Sequence, residues 1–180
     1  MDGQRIIAVS RPVTRYEIDV DAAFDDFRDR YEAAVPPYPA REFDALVERG
    51  AGWDEVLDLA RRAAPHHFMI YWKYDADPMM ALAGDYFRGS EYLMGNHTIA
   101  ERMFRHNPGI LLYAPLRTTI TEGVDGATRF CFDRPADGFG SFADDAITAV
   151  GTDLDHKLAA LLRHLSLPVP AALDAGPDAD

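Results

Sequence analysis

The chain has a single cysteine, Cys131, so it cannot form an internal disulfide. It opens with no basic and apolar leader, and it has no run of about 18 apolar residues that would span a bilayer. These absences predict a cytoplasmic protein. Basic residues are also few: 18 Lys and Arg stand against 30 Asp and Glu. The net charge of -12 has the wrong sign for neutralising phosphates, so we expect neither a nucleic-acid nor a membrane partner.

Three catalytic signatures are missing as well. The sequence contains no glycine-rich phosphate loop, no Gly-x-Ser-x-Gly nucleophile elbow and no Cys-x-x-Cys pair. Their absence argues against kinases, dinucleotide-dependent enzymes, serine hydrolases and thiol oxidoreductases. What is present is ordinary globular composition, with 48% hydrophobic and 27% charged residues over 180 positions, which suits one domain with one core.

The pattern along the chain predicts one domain between two irregular ends. We expect a loose segment over residues 1–12 and a single domain over 13–165. The remaining segment, 166–180, contains prolines and acidic residues but no basic residue, which predicts a solvated tail.

Hydrophobic spacing within the domain predicts a mixture of strands and helices. Strands are predicted at 13–20, 68–74, 91–94, 110–121 and 128–133, the last two joined as a hairpin across a glycine-containing turn. Helices are predicted at 21–35, in two stretches within 38–64, at 78–83, at 98–105 and from about 152 to 165. These elements do not alternate, so the class is α+β, with helices packed on one face of a largely antiparallel sheet. The other face is expected to receive a ligand or a second subunit.

The strand at 68–74 has large side chains on both faces, which is typical of a central strand or of one that lines a pocket. If the strand is regular, Tyr71, Lys73 and Asp75 share one face and present a phenol, an ammonium and a carboxylate to a bound molecule. A salt bridge between Lys73 and Asp75 explains the two charges equally well.

His97 and Glu101 are four residues apart and therefore share one face of a helix, where they can hold a proton or a metal together. Two ligands do not make a metal site, and His106 is a candidate third. The alternative is that Glu101 caps the helix together with Thr98, while His97 lies at a solvated helix start.

Arg117 is the candidate for holding a carboxylate or phosphate through a planar two-point contact, although it can instead pair with Asp133 across the hairpin. Tyr113 is one of several strand aromatics. Most of these are expected in the core, and those that line a concave sheet face would suit a flat apolar ligand with one polar end.

Residues 91–117 (EYLMGNHTIAERMFRHNPGILLYAPLR), followed by the hairpin and by residues 132–135 (FDRP), resemble the core of the family called domain of unknown function 302. The shared elements are an apolar strand ending in Gly-Asn, a short helix, an Asn-Pro-like dipeptide, a strand ending in Pro-Leu-Arg and a strand ending in Asp-x-x-Pro. The resemblance implies a compact α+β domain of TATA-binding-protein-like or Bet-v-1-like architecture, usually dimeric. It implies no established activity.

The sequence departs from this family at two motifs. The family's Asp-His pair is replaced by Asp75-Ala76, and its Gly-Asn-Pro motif by Gly95-Asn96-His97, which places an ionisable ring where a helix-starting proline would stand. The helical region 38–64 is also longer than is usual in the family, and we expect it to form a lid or a dimer surface.

Our leading hypothesis is a homodimer with an apolar pocket for a small organic molecule, needing no cofactor. As an enzyme it would transfer protons in an isomerisation, elimination or cyclisation. The residues predicted to act on the ligand are Asp75, His97 and Glu101, and those predicted to bind it are Tyr71, Lys73, Tyr113 and Arg117. One alternative is a metal- or haem-binding protein that uses His97, Glu101 and His106, and another is a structural dimeric module without a pocket. The leading hypothesis requires that Asp75, His97 and Arg117 meet at one hollow.

Overall fold

A computed structural model describes residues 5–175 of the chain. Five strands form one sheet, in the order β1-β5-β4-β3-β2, and every neighbouring pair is antiparallel. The strands are β1 Arg15–Val20, β2 Met69–Asp75, β3 Arg88–Gly95, β4 Leu116–Glu122 and β5 Thr128–Asp133. The predicted α+β class with an antiparallel sheet is confirmed.

Eight α-helices accompany the sheet in the described part of the chain. They are α1 Phe24–Ala34, α2 Ala40–Glu48, α3 Trp53–Ala63, α4 Asp77–Met80, α5 His97–Phe104, α6 Pro135–Gly140, α7 Asp145–His164 and α8 Ala171–Asp174. Two short 3-10 turns follow α4 and α5, at Ala81–Ala83 and Pro108–Leu112.

The main core lies between one sheet face and the apolar sides of α1 and α7. Because strand side chains alternate between faces, Tyr92 and Met94 of β3 both enter this core and are fully buried. Tyr31 of α1 is fully buried, and its hydroxyl lies 2.9 Å from the Thr118 hydroxyl of β4. The first helix therefore packs on the sheet by the stripe that its spacing predicts.

A second, smaller core covers the start of β2 from the opposite side. It contains Met69 and four side chains of the 40–64 region, namely Phe43, Leu59, Ala60 and Ala64. Ile70, the next residue of the strand, belongs to the main core, so consecutive residues enter different cores. This explains why both faces of β2 look apolar in sequence although β2 is an edge strand. Of the two alternatives predicted for this strand, the central position is wrong, whereas Tyr71 of β2 does line a cavity.

Two predicted boundaries also differ from the structure. β4 begins only at Leu116, since Pro115 has no N–H to donate to the sheet and residues 108–112 form a 3-10 turn. α7 begins at Asp145 and not near residue 152, because the Asp144 carboxylate caps it by accepting from the Ala146 and Ile147 N–H groups at 2.9 and 3.0 Å.

The predicted tail is also more ordered than its composition indicates. Residues 171–174 form α8, and both Leu167 and Leu173 are buried in the main core. The Arg134 guanidinium reaches this segment and donates to the Ala172 carbonyl at 3.2 Å. Residues 5–12 have no regular secondary structure, while residues 1–4 and 176–180 of the two predicted irregular ends lie outside the described residues.

Candidate functional site

A β-bulge at Tyr71 determines which side chains meet near the start of β2. Ile70 pairs with Met94 and Trp72 pairs with Leu93, so Tyr71 is the extra residue between two consecutive pairs. An extra residue of this kind interrupts the alternation of side chains along the strand.

The bulge separates Tyr71 from the two charged residues that follow it. The Tyr71 ring lies 3.7 Å from the position that a Cβ on Gly95 would take, on the sheet face away from the main core. Lys73 instead pairs with the buried Tyr92 on the helix-covered face. The prediction that Tyr71, Lys73 and Asp75 share one face is therefore wrong, because it assumed a regular strand.

Tyr71 contacts the first residue of α5, His97. The Asn96 side chain begins this helix by accepting from the Thr98 N–H at 3.0 Å, which fixes the backbone at His97. The His97 backbone N–H donates to the Tyr71 hydroxyl oxygen at 3.1 Å, and the same oxygen lies 2.9 Å from His97 Nδ1. The hydroxyl proton can be donated to Nδ1 while the oxygen accepts from the backbone N–H. On this basis we assign the proton of the neutral imidazole to Nε2.

Aromatic neighbours enclose this pair and keep both members uncharged at neutral pH. The His97 ring stands perpendicular to Phe43 with centroids 4.4 Å apart, and Tyr38 stacks on Tyr71 at 4.5 Å. Burial lowers the pKa of His97 and raises the pKa of Tyr71 to about 12. His97 Nε2 has no hydrogen-bond partner among residues 5–175, so it offers one N–H group to a bound molecule.

A cavity of about 240 Å³ lies against His97 and Tyr71. Its remaining walls come mainly from the apolar side of α5, from the end of β3 and from the segment that leads into β4. The complete lining is Phe68, Tyr71, Gly95, Asn96, His97, Ile99, Ala100, Met103, Leu111, Ala114, Pro115, Leu116, Phe139 and Leu154. Almost all of these side chains are apolar. The apolar wall residues were not singled out from the sequence, where they are indistinguishable from ordinary core.

A second depression, which we call the Tyr113 groove, lies on the other side of the segment 111–116. It has a volume of about 470 Å³ and shares five lining residues with the cavity, namely Leu111, Ala114, Pro115, Leu116 and Phe139. Tyr113 and Arg117 line this groove and not the His97 cavity. The predicted ligand-binding residues are thus divided between two adjacent depressions.

Arg117 is paired with a different carboxylate from the Asp133 partner considered from the sequence. Its Nε lies 2.9 Å from Glu91 Oε1 on the neighbouring strand, and its side chain is 71% exposed. The ion pair with Asp133 is not formed, because Arg117 is instead paired with Glu91 on the open face of the sheet.

Asp75 lies away from His97, at the opposite end of β2. It accepts a hydrogen bond from the Ser90 hydroxyl, and its Oδ2 lies 3.4 Å from Lys73 Nζ. The Lys73 ammonium lies 2.7 Å from Glu32 of α1, so the salt bridge considered from the sequence extends to a third residue. Asp75, His97 and Arg117 therefore do not meet at one hollow, and this expectation is corrected: of the predicted set, only His97 and Tyr71 line the cavity.

The three residues considered as metal ligands also have separate partners. Glu101 forms an ion pair with Arg105, four residues along α5, and leaves the helix cap to Asn96. His106 Nδ1 lies 3.9 Å from an Asp144 oxygen. Within residues 5–175, no three His, Cys, Asp or Glu side chains are grouped as a metal site. The trio of His97, Glu101 and His106 does not form a ligand set.

Comparison with known proteins identifies a family and a fold. The family model named "Domain of unknown function DUF302" matches residues 47–165, a range that contains both His97 and Tyr71. A crystal structure of an uncharacterized conserved DUF302 protein from Bacillus stearothermophilus superimposes with a TM-score of 0.59 at 17% identity, over 84% of this chain and 97% of that one. At this identity the likeness shows the fold alone. Among curated proteins, none matches the sequence. No helix in the range 5–175 combines the length and apolarity needed to cross a membrane.

Proposed function

The chain belongs to the DUF302 family, and we propose that in this member the His97 cavity binds a small organic molecule that is apolar except for one hydrogen-bond acceptor. The observation that carries the proposal is His97, which lines a largely apolar cavity and whose Nε2 has no hydrogen-bond partner among residues 5–175. A ligand carbonyl is the simplest group that completes this arrangement.

The walls favour a neutral ligand body. Phe68, Met103, Leu116 and Leu154 contribute only apolar surface, and no charged side chain lines the cavity. A charged group placed there would lose its hydration without gaining a counter-ion, whereas apolar surface gains free energy on burial.

The size of the cavity restricts the ligand further. A dry apolar cavity of about 150 Å³ accommodates benzene, so about 240 Å³ suits a substituted ring and not a drug-sized molecule. A one-ring ketone meets both the size and the polarity of the site.

Proton transfer is the second candidate function, and the Tyr71–His97 hydrogen bond favours it. With its proton on Nε2, the ring can donate a hydrogen bond to a ligand carbonyl and so stabilise the negative charge that develops on the carbonyl oxygen. An isomerase, lyase or cyclase at this site would then use His97 as this hydrogen-bond donor. Asp75 is too remote to provide the base.

The binding proposal is tested by calorimetric titration of the full chain with acetophenone and with ethylbenzene, two molecules of nearly equal size of which only the first has an acceptor. We expect acetophenone to bind about three- to tenfold more tightly, as one hydrogen bond would provide. His97→Phe should abolish this preference, and Ala100→Phe, which fills the cavity, should abolish binding of both.

Two results would refute this assignment. One is equal affinity for the two probes in the unaltered protein, and the other is unchanged binding in Ala100→Phe. The control variant is His106→Phe, which removes an imidazole outside the cavity and should bind like the parent.

We further propose that the protein is a homodimer through the free edge of β2. Beyond Ile70, which the 36–38 segment covers, no strand pairs with this edge in the described structure. Large apolar side chains are exposed on and near it, namely Trp72, Tyr74, Met79, Leu82, Tyr86 and Phe87. An unpaired edge beside an apolar surface is suited to pairing with a second copy of itself.

Light scattering during size-exclusion chromatography tests the dimer. Trp72→Glu should shift the protein to the mass of one chain, while Val124→Glu, a matched change at an exposed hairpin position, should not. A monomeric parent protein would refute the proposal.

A further inference from the structure

We propose that the Tyr113 groove is a second ligand site, which binds an organic carboxylate through Arg11. The groove shares apolar wall residues with the His97 cavity, but its charged lining residues, Arg11, Arg117 and Asp133, do not line that cavity. Arg11 belongs to the segment without regular secondary structure that precedes β1.

The Arg11 guanidinium is held in position without being neutralised. Its Nε donates to the Tyr113 hydroxyl at 3.2 Å, and its central carbon lies 4.4 Å from the centroid of the same ring. Stacking of this kind fixes the plane of the guanidinium. No carboxylate among residues 5–175 lies within 4 Å of it, although the chain has a large acidic excess.

One nitrogen of this guanidinium is buried and has no partner among residues 5–175. Arg11 Nη1 is buried and forms no hydrogen bond, one of only two such side-chain atoms within residues 5–175. A buried donor without an acceptor is costly, and more so when it carries part of a charge. A carboxylate bound in the groove would supply the counter-ion that this guanidinium lacks, in the two-point geometry that an arginine offers.

Hydrogen bonds at Thr14 hold the segment that carries Arg11 against the domain. The Thr14 backbone N–H donates to Asp137 of α6 at 2.6 Å, and the Thr14 carbonyl accepts from the Arg134 N–H at 2.8 Å. Arg11 is therefore placed three residues before a point that is fixed to the domain from both sides.

The groove walls indicate an organic ligand and not an inorganic anion. Leu93, Leu112, Pro115 and Phe139 give them an apolar surface, and the volume of about 470 Å³ exceeds that of a small ion. Charge favours an anion, since two arginines, Arg11 and Arg117, stand in the lining against one aspartate, Asp133.

Arg117 is the weaker anchor of the two arginines. Its Nε is already paired with Glu91, and its side chain is mostly in solvent. Arg11 has no acidic partner in the described structure and is part-buried. The sequence predicts Arg117 as the anion-binding arginine, whereas these contacts favour Arg11.

The test is calorimetric titration of the full chain with benzoate, with benzamide as its neutral counterpart and acetate as the carboxylate without an apolar body. We expect benzoate to bind most tightly of the three. Arg11→Gln should weaken benzoate binding about tenfold or more, as loss of a charge-assisted contact would. Arg15→Gln, which changes an exposed arginine nearby, should leave the benzoate affinity within about twofold of the parent.

Asp133→Asn sharpens the test without altering Arg11. Removing the acidic competitor in the groove should strengthen benzoate binding about two- to fivefold. Equal affinity for benzoate and benzamide, or an Arg11→Gln variant that binds benzoate like the parent, would overturn the proposal. His97→Phe should leave benzoate binding unchanged, so failure of this site is distinguishable from failure of the His97 cavity, for which acetophenone is the probe.

Discussion

The two ends of β2 have the same kind of sequence but very different surroundings. At one end, Met69 and Tyr71 are packed against α2 and α3, and Tyr71 meets His97 beside an apolar cavity. At the other end, Lys73 and Asp75 form an ion-pair network with Glu32 of α1. Of the two ends of β2, only the one beside a cavity with apolar walls therefore forms a candidate site.

One extra residue produces this difference. Without the bulge, the Tyr71 side chain would lie on the same face as Lys73 and the phenol would join the charged network. With the bulge, the phenol lies against the second core, and its hydroxyl contacts the His97 ring. The position of Tyr71 is thus set by sheet geometry and by the space that Gly95 leaves, and the charges nearby have no part in it.

A substitution that fills the space at Gly95 is expected to have the largest effect on the cavity end of β2. A Cβ there would lie 3.3 Å from Pro115 Cβ and 3.4 Å from Pro115 Cα, as well as against the Tyr71 ring. We expect Gly95→Val to lower the free energy of unfolding by about 1–3 kcal/mol through overpacking, and to weaken acetophenone binding. Urea denaturation provides the measurement.

Gly89 is the matched position for that comparison. It lies in the same strand and on the same face, but a Cβ there would meet only Thr121 Cγ2 at 4.0 Å. Gly89→Val should change the unfolding free energy by no more than about 0.5 kcal/mol. A similar loss at both glycines would mean that the strand, and not the Tyr71 packing, accounts for the effect.

Removing the Tyr71 hydroxyl should have the next largest effect. Tyr71→Phe leaves the His97 N–H and Nδ1 without their partner, and we expect it to lower the unfolding free energy by about 1–2 kcal/mol. Tyr74→Phe, at the exposed end of the same strand, should cost less than about 0.5 kcal/mol. Denaturation of the two variants under identical conditions measures the difference, and equal losses would contradict the role given to the Tyr71 hydroxyl.

The pH dependence of stability gives a third comparison. Burial lowers the pKa of His97 below its ordinary value of 6.5, so the unfolded chain binds this proton more readily than the folded protein does. The contribution of His97 to the unfolding free energy is therefore complete above pH 6.5 and is lost as the pH falls through the folded-state pKa.

Denaturation of the parent and of His97→Gln over this pH range measures the effect. The variant should lose less stability on acidification, but some loss should remain because burial also lowers the pKa of His66 and of His67. Identical pH profiles for variant and parent would place His97 in solvent.

The smallest effect is expected at the charged end. Lys73→Met breaks ion pairs whose members are about one-third or more exposed, and it should lower the unfolding free energy by about 1 kcal/mol or less. Asp75→Asn should leave acetophenone affinity unchanged. A marked loss of acetophenone affinity in either variant would mean that these residues contribute to ligand binding. It would contradict the distinction between the two ends of β2.

The sequence predicts a helix or strand correctly where that element is buried on one face only. The stripe of Phe24, Phe27 and Tyr31 and the hairpin of β4 and β5 are examples, because burial on one face leaves a clear period in the sequence. The predicted start of α7 is too late because the leucine pattern begins only at Leu154, although Asp144 is a good cap and Ile147 extends the stripe.

The candidate site is less readable, because it depends on contacts between distant segments. His97 and Tyr71 are both identifiable from sequence as polar residues beside apolar runs, but the bulge that joins them leaves no period of its own. Arg11 was missed because it lies in a segment without any repeating pattern, and only its contact with Tyr113, about a hundred residues away in the chain, gives it a place.

The most direct test of the His97 assignment is nitrogen NMR of histidine-labelled protein. With the Tyr71 hydroxyl donating to Nδ1, the His97 ring should be neutral at pH 7 with its proton on Nε2, and the Nε2 resonance should shift on addition of acetophenone but not of ethylbenzene. A His97 ring protonated on Nδ1, or an Nε2 resonance that does not respond to acetophenone, would contradict the account.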